Sequence, residues 1–184
     1  MLDPTLPHIF AALLAIIFLG GAGQKLRDVD GFVMAVEQYR LLPERWAAVA
    51  AKSLLAAEIA AGLLLLPLAT RAAGAGLALA LLIAFTVAIT INLLRGRRAI
   101  DCGCGGPEGG QHLSWGLVLR NVTLGAMAAL SSATLATEIP RTLVWLDGLT
   151  LVAGTLALYG LYAAANQLMT NRPRLLKLRG TTHD

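Results

Sequence analysis

The sequence predicts an all-α integral membrane protein, a bundle of about five transmembrane helices with a short amphipathic interfacial helix after the first span. Three observations predict it. Only 14% of the 184 residues are charged and 57% are hydrophobic, with a mean hydropathy of +0.68; a soluble domain carries about 25% charged residues. Apolar runs at 6–23, 46–67, 72–94, 114–137 and 143–165 are each long enough to cross about 30 Å of hydrocarbon as a helix. The Lys and Arg residues gather in alternate loops rather than evenly along the chain.

The first run is preceded by MLDPTLPH, which lacks the basic residue of a cleavable signal, so it reads as a retained span. In the long connection 24–45, the stretch GFVMAVEQYRLL puts Phe32, Val33, Val36 and Tyr39 at helical spacing, with Glu37 and Arg40 opposite. That spacing predicts an amphipathic helix on the membrane surface, ended near Pro43. PLATRAA leaves room only for a tight hairpin between the second and third spans. GAGLALA and GLLLLP offer small-residue faces on which helices pack closely. Trp46, Trp115 and Trp145 fall near span ends, where an indole anchors at the interface. The whole is one polytopic domain, 1–171, followed by a basic tail, 172–184.

Orientation follows from the basic residues. Lys25, Arg27, Arg40 and Arg45 follow the first span, Arg95, Arg97 and Arg98 follow the third, and Arg172, Arg174, Lys177 and Arg179 lie in the tail. Only Arg71 and Arg141 fall in the intervening loops. The expected amino terminus is therefore periplasmic and the carboxyl terminus cytoplasmic. Anionic lipid accounts for the net charge of +4, and no nucleic-acid partner is implied.

Both cysteines of the chain lie in Asp101-Cys102-Gly103-Cys104-Gly105-Gly106, in the loop after the third span. Structural disulfides are out of place on the cytoplasmic side. A disulfide between Cys102 and Cys104 needs a sharp turn, which Gly103 permits and Gly105 extends. Such a small ring is strained, hence oxidising and readily exchanged. Arg95, Arg97, Arg98 and His112 are basic neighbours that favour reactivity, against Asp101. Three readings stay open: a redox pair, half of a soft-metal site with His112 and Asp101, or an inert small-residue loop in a membrane scaffold. No metal or other cofactor is assigned, and turnover as an enzyme, a thiol-disulfide relay, is left undecided.

Within the spans, Glu58 and Arg120 are expensive to bury unless paired. Lys52 and Arg120 have long side chains able to snorkel or to reach Glu58. The readings are a proton-coupled site or substrate contact, or an ion or hydrogen-bonded pair, with Asn121 or Asn92, that orients the second and fourth spans.

GFVMAVEQYRLLP, a second span with an internal Glu, an arginine-rich turn, DCGCGG, and a span opening SWGLVLRN together resemble the MauE family of methylamine-utilisation membrane proteins, distant relatives of the DoxX-like group. The resemblance covers roughly 6–135. It implies an accessory factor in the bacterial inner membrane for maturation of methylamine dehydrogenase, acting in processing, transport or disulfide formation of its beta subunit. It also implies a thioredoxin-like partner from the same pathway and makes Cys102 and Cys104 the redox residues.

Overall fold

The computed structural model describes residues 5–100, 102, 112–133 and 145–180, with side chains to residue 171, Ala133 excepted. Apart from an isolated bridge at His112, every element among them is helical: α1 (Thr5–Arg27), α2 (Val29–Gln38), α3 (Glu44–Leu64), a 3-10 turn (Leu68–Thr70), α4 (Arg71–Leu94), α5 (Trp115–Ala133) and α6 (Trp145–Gly180).

The break between α1 and α2 has a local cause. The Asp28 carboxylate accepts from the Gly31 amide at 2.9 Å, capping α2. A Cβ on Gly31 would lie 2.2 Å from that carboxylate, so a side chain here requires the Asp28 carboxylate to shift. Beyond the break, Phe32 packs with Ala51 and Leu55 of α3, and Val33 and Val36 border the same cluster. The apolar side expected to face the membrane surface is thus taken by α3, while Met34 and Glu37 stay exposed. Arg40, at φ 48°, turns the chain in the left-handed region, and Pro43 directly precedes α3.

α3 and α4 form the expected tight hairpin. Thr70 Oγ1 donates to the Leu64 carbonyl at 2.9 Å, and a Cβ on Gly74 would lie 2.7 Å from the Leu64 backbone carbon. The glycine is therefore what lets the two backbones meet. The main core joins Leu14 and Phe18 of α1, Ala61 of α3, Ala78 and Leu82 of α4, and Leu124 and Ala128 of α5. Leu19 of α1 fills the space over Gly62, where a Cβ would approach to 2.6 Å.

Among the described residues, four helical stretches are long and apolar enough to cross a membrane: 5–27, 44–64, 68–94 and 145–171. The fifth expected span is a helix, α5, whose 19 residues extend about 28 Å. It carries Arg120, Asn121, Thr123, Ser131 and Ser132, which lower its hydropathy, and it packs along α4 and α1. Residues 134–137 of that predicted span lie outside the described set. α6 rests on α1, with Ile9 set against Gly154, and leaves Leu149, Val152, Leu156 and Leu161 uncovered as a lipid-facing helix does. Its backbone stays helical past residue 171 to Gly180. Trp46, Trp115 and Trp145 are exposed in the first turns of their helices, as interfacial anchors should be.

Candidate functional site: a thiol loop above a buried polar layer

α4 ends in a pair of backbone hydrogen bonds, Gly96 N to the Leu93 carbonyl and Arg97 N to the Asn92 carbonyl, both 3.0 Å. This is a Schellman cap, with Gly96 at φ 73°. The cap aims Arg97 back at α2. Its guanidinium donates to the carbonyls of Gln38 (2.9 Å) and Tyr39 (3.4 Å) and to Asn92 Oδ1 (3.1 Å). Asn92 is wholly buried, and its own amide donates to the Ala88 carbonyl at 3.1 Å. A cation thus satisfies the carbonyl end of α2 and complements its dipole.

The thiol loop is closed at its base by Leu113 N donating to the Ile100 carbonyl at 3.2 Å. Cys102 is buried among Ile89, Leu93, Ile100, Leu113 and Leu117, and the Tyr39 hydroxyl donates to its backbone carbonyl at 3.2 Å. His112 is exposed. Asp101, Gly103, Cys104 and Gly105 lie outside the described residues. Arg97, expected to act on the thiols as a nearby charge, spends its guanidinium on α2 and Asn92 and reaches Cys102 through Tyr39. Tyr39 was legible only as one position of an apolar stripe.

Deeper in the bundle, Glu58 is 3% exposed, and its carboxylate pairs with the Lys25 ammonium at the end of α1. Of the two outcomes expected for Lys52, snorkelling or reaching Glu58, its exposure fits the first. Lys25 reads in sequence as a loop cation, but α1 runs on to Arg27 and carries it into the bundle. The ammonium also lies over the rings of Phe32 (4.9 Å) and Phe85 (5.5 Å), which add cation–π attraction in a desolvated setting. Glu58 lies 14 residues along α3 from Glu44, about 21 Å of helix, and meets Lys25 in the last turn of α1.

Arg120 donates to Asn166 Oδ1 of α6 at 2.9 Å, and its Nε and Nη2 reach Asn121 Oδ1 at 3.4 and 3.3 Å. The Asn121 Nδ2 is buried without a hydrogen-bond partner among the described residues. A cavity of about 70 Å³, with a mostly apolar lining, brings Lys25, Glu58, Arg120, Asn121 and Tyr162 together. An apolar cavity of about 130 Å³ is lined by Lys25, Phe32, Phe85, Ile89, Tyr39 and Cys102, among others. Lys25 and Phe85 line both cavities. The structure therefore connects the two sets of residues that the sequence presents separately, the thiol loop and the intramembrane charges.

The fold and site define a multi-pass all-α membrane protein with a buried cysteine, Cys102, packed at the ends of α4 and α5 and an ion pair in its interior. The family model described as Methylamine utilisation protein MauE matches residues 3–136. The chain is 39% identical to the MauE of Paracoccus denitrificans over 91% of this chain and 89% of the relative. It is 32% identical to that of Methylophilus methylotrophus over 99% and 97%, and 39% identical to that of Methylorubrum extorquens over 75% and 74%. The chain belongs to the MauE family. No solved structure is a significant match.

Proposed function

We propose that this protein is an inner-membrane accessory factor of methylamine utilisation that supports maturation of the beta subunit of methylamine dehydrogenase through the Cys102–Cys104 thiol pair. The names of its relatives support the pathway. The observation that supports this motif as the working site is the seating of Cys102: it packs into a buried cluster and its carbonyl is held by Tyr39 from 63 residues away, which anchors the motif to the bundle. A thiol buried among apolar side chains is shielded from attack, so exchange at this sulfur follows opening of the loop.

In this reading the disulfide form of the pair exchanges with two thiols of the subunit, or of a thioredoxin-like partner. A substrate thiolate attacks one sulfur, a mixed disulfide forms, and the second substrate thiolate releases the pair as two thiols. Two electrons pass from substrate to pair. The protein spans the inner membrane with its amino terminus periplasmic and its carboxyl terminus cytoplasmic.

The test is maturation of the dehydrogenase in cells carrying Cys102→Ser or Cys104→Ser. Loss of disulfide-complete beta subunit in both, with the membrane protein still present at normal abundance, is the expected result. Normal maturation in both variants would remove the thiols from the mechanism.

A further inference from the structure

The geometry points to the apolar cavity between Lys25 and Cys102 as a binding site for the head group of a membrane quinone, which takes the electrons of the thiol pair. The inference rests on the redox reading of that pair. An exchanged pair ends as two thiols and must be reoxidised before it acts again, and a strained ring between residues i and i+2 is an oxidising disulfide that a weak acceptor does not regenerate.

The cavity supplies what a quinone needs and little that a water-soluble oxidant would use. Phe32, Phe85, Ile89 and Leu54 line it together with Cys102 and Lys25. It lies within the helical layer, where the acceptors at hand are lipid-soluble. A quinone carbonyl is a hydrogen-bond acceptor on an apolar ring, and Lys25 is the charged donor in the lining. Glu58, Phe32 and Phe85 hold that ammonium in place, so its charge is set where a carbonyl oxygen gains negative charge on reduction. Lys25 also borders the second cavity, whose polar side chains Glu58, Arg120 and Asn121 give protons a neighbourhood beside the ring.

The step balances. Cys102 and Cys104 lose two electrons and two protons as their S–S bond closes. The quinone takes up both pairs, its two carbonyls become hydroxyls, and it leaves as quinol. The quinone pool is dissolved in the bilayer itself, so this exit serves the thiols from either face of the membrane.

The experiment uses the full chain in lipid nanodiscs with an azido-substituted short-chain ubiquinone as photolabel. Peptides carrying the label are mapped by mass spectrometry, and quinol formation is followed anaerobically after the protein is reduced and freed of reductant. Label on α2 and α4 beside the cavity, displaced by unlabelled short-chain ubiquinone, is expected, with one quinol formed per reduced thiol pair. Cys102→Ser should keep the label and lose quinol formation. Ala50→Trp and Ala88→Trp fill the cavity from α3 and α4, both at half-buried positions, and each should lose both signals while the protein stays folded. Label confined to lipid-facing positions, or labelled cavity with no thiol oxidation in the unaltered protein, overturns the inference. Either result leaves the maturation assay of the cysteine variants to judge the thiol reading independently.

Discussion

The Tyr39 hydroxyl donates to the Cys102 carbonyl at 3.2 Å while the Tyr39 carbonyl accepts from Arg97 at 3.4 Å. One residue at the end of α2 is therefore gripped by the end of α4 and in turn grips the thiol loop. The three residues are separated by 58 and 63 positions from Tyr39 along the chain, and the contact depends on α2 lying along α3 rather than on the membrane surface.

Tyr39→Phe removes only the hydroxyl. The fold should lose about 1 kcal/mol, the net worth of one hydrogen bond, because the ring keeps its packing against the Cys102 cluster. The Cys102 carbonyl then loses this donor, and the loop should open more often. The expected readout is faster modification of Cys102 by a thiol reagent, measured on a Cys104→Ser background, with an almost unchanged melting temperature. Equal modification rates would show that the hydroxyl does not restrain the loop.

Arg97 meets three acceptors on two elements, and a planar fork is what reaches them together. Arg97→Lys keeps the charge but can satisfy only part of the set. Hydrogen bonds to charged groups are worth about 1.5–3 kcal/mol each, so Arg97→Ala should destabilise by a few kcal/mol, with Lys recovering less than half. Amide hydrogen exchange should accelerate along α2 and leave the centre of α4 protected. Full rescue by Lys would reduce the role of Arg97 to its charge.

Glu58→Gln leaves the Lys25 ammonium without its carboxylate inside the bundle. Breaking one side of a buried pair costs about 3–5 kcal/mol, whereas an apolar replacement of both partners is far better tolerated. Unfolding in detergent should show a large loss for Glu58→Gln and substantial recovery in Lys25→Met/Glu58→Leu. Lys52→Met, at an exposed position of the same helix, should be neutral. A destabilised Lys52→Met, or no recovery in the double variant, would contradict the pairing.

How much of this was legible in the sequence depends on the range of the interaction. The helix count, the hairpin at PLATRAA, the break near Pro43 and the tryptophan anchors are local or periodic signals, and the structure reproduces them. The thiol motif announced itself through composition. Lys25 did not, because a cation two residues past the end of the apolar run reads as a loop residue; only the extension of α1 to Arg27 and the packing of Phe32 against α3 bring it to Glu58. Arg97 shows the same difficulty. Its charge was visible, but its partners are backbone carbonyls of another helix, and no residue type marks them.

The small residues of α4 supply a sharper separation than composition allows. Gly74 and Gly76 are indistinguishable in GAGLALA, yet a Cβ at 74 would lie 2.7 Å from the backbone of Leu64, and one at 76 would meet nothing within 4 Å. Backbone cannot give way as a flexible side chain can, so Gly74→Ala must push α3 and α4 apart at the hairpin, where Thr70 also bonds the Leu64 carbonyl. The cost should be about 1–3 kcal/mol, in the range of overpacking a filled interface. Gly76→Ala should be neutral or stabilising, because alanine is the better helix former. Thermal unfolding of the two single variants checks the contrast, and equal stability would show that the hairpin does not require the close approach at Gly74.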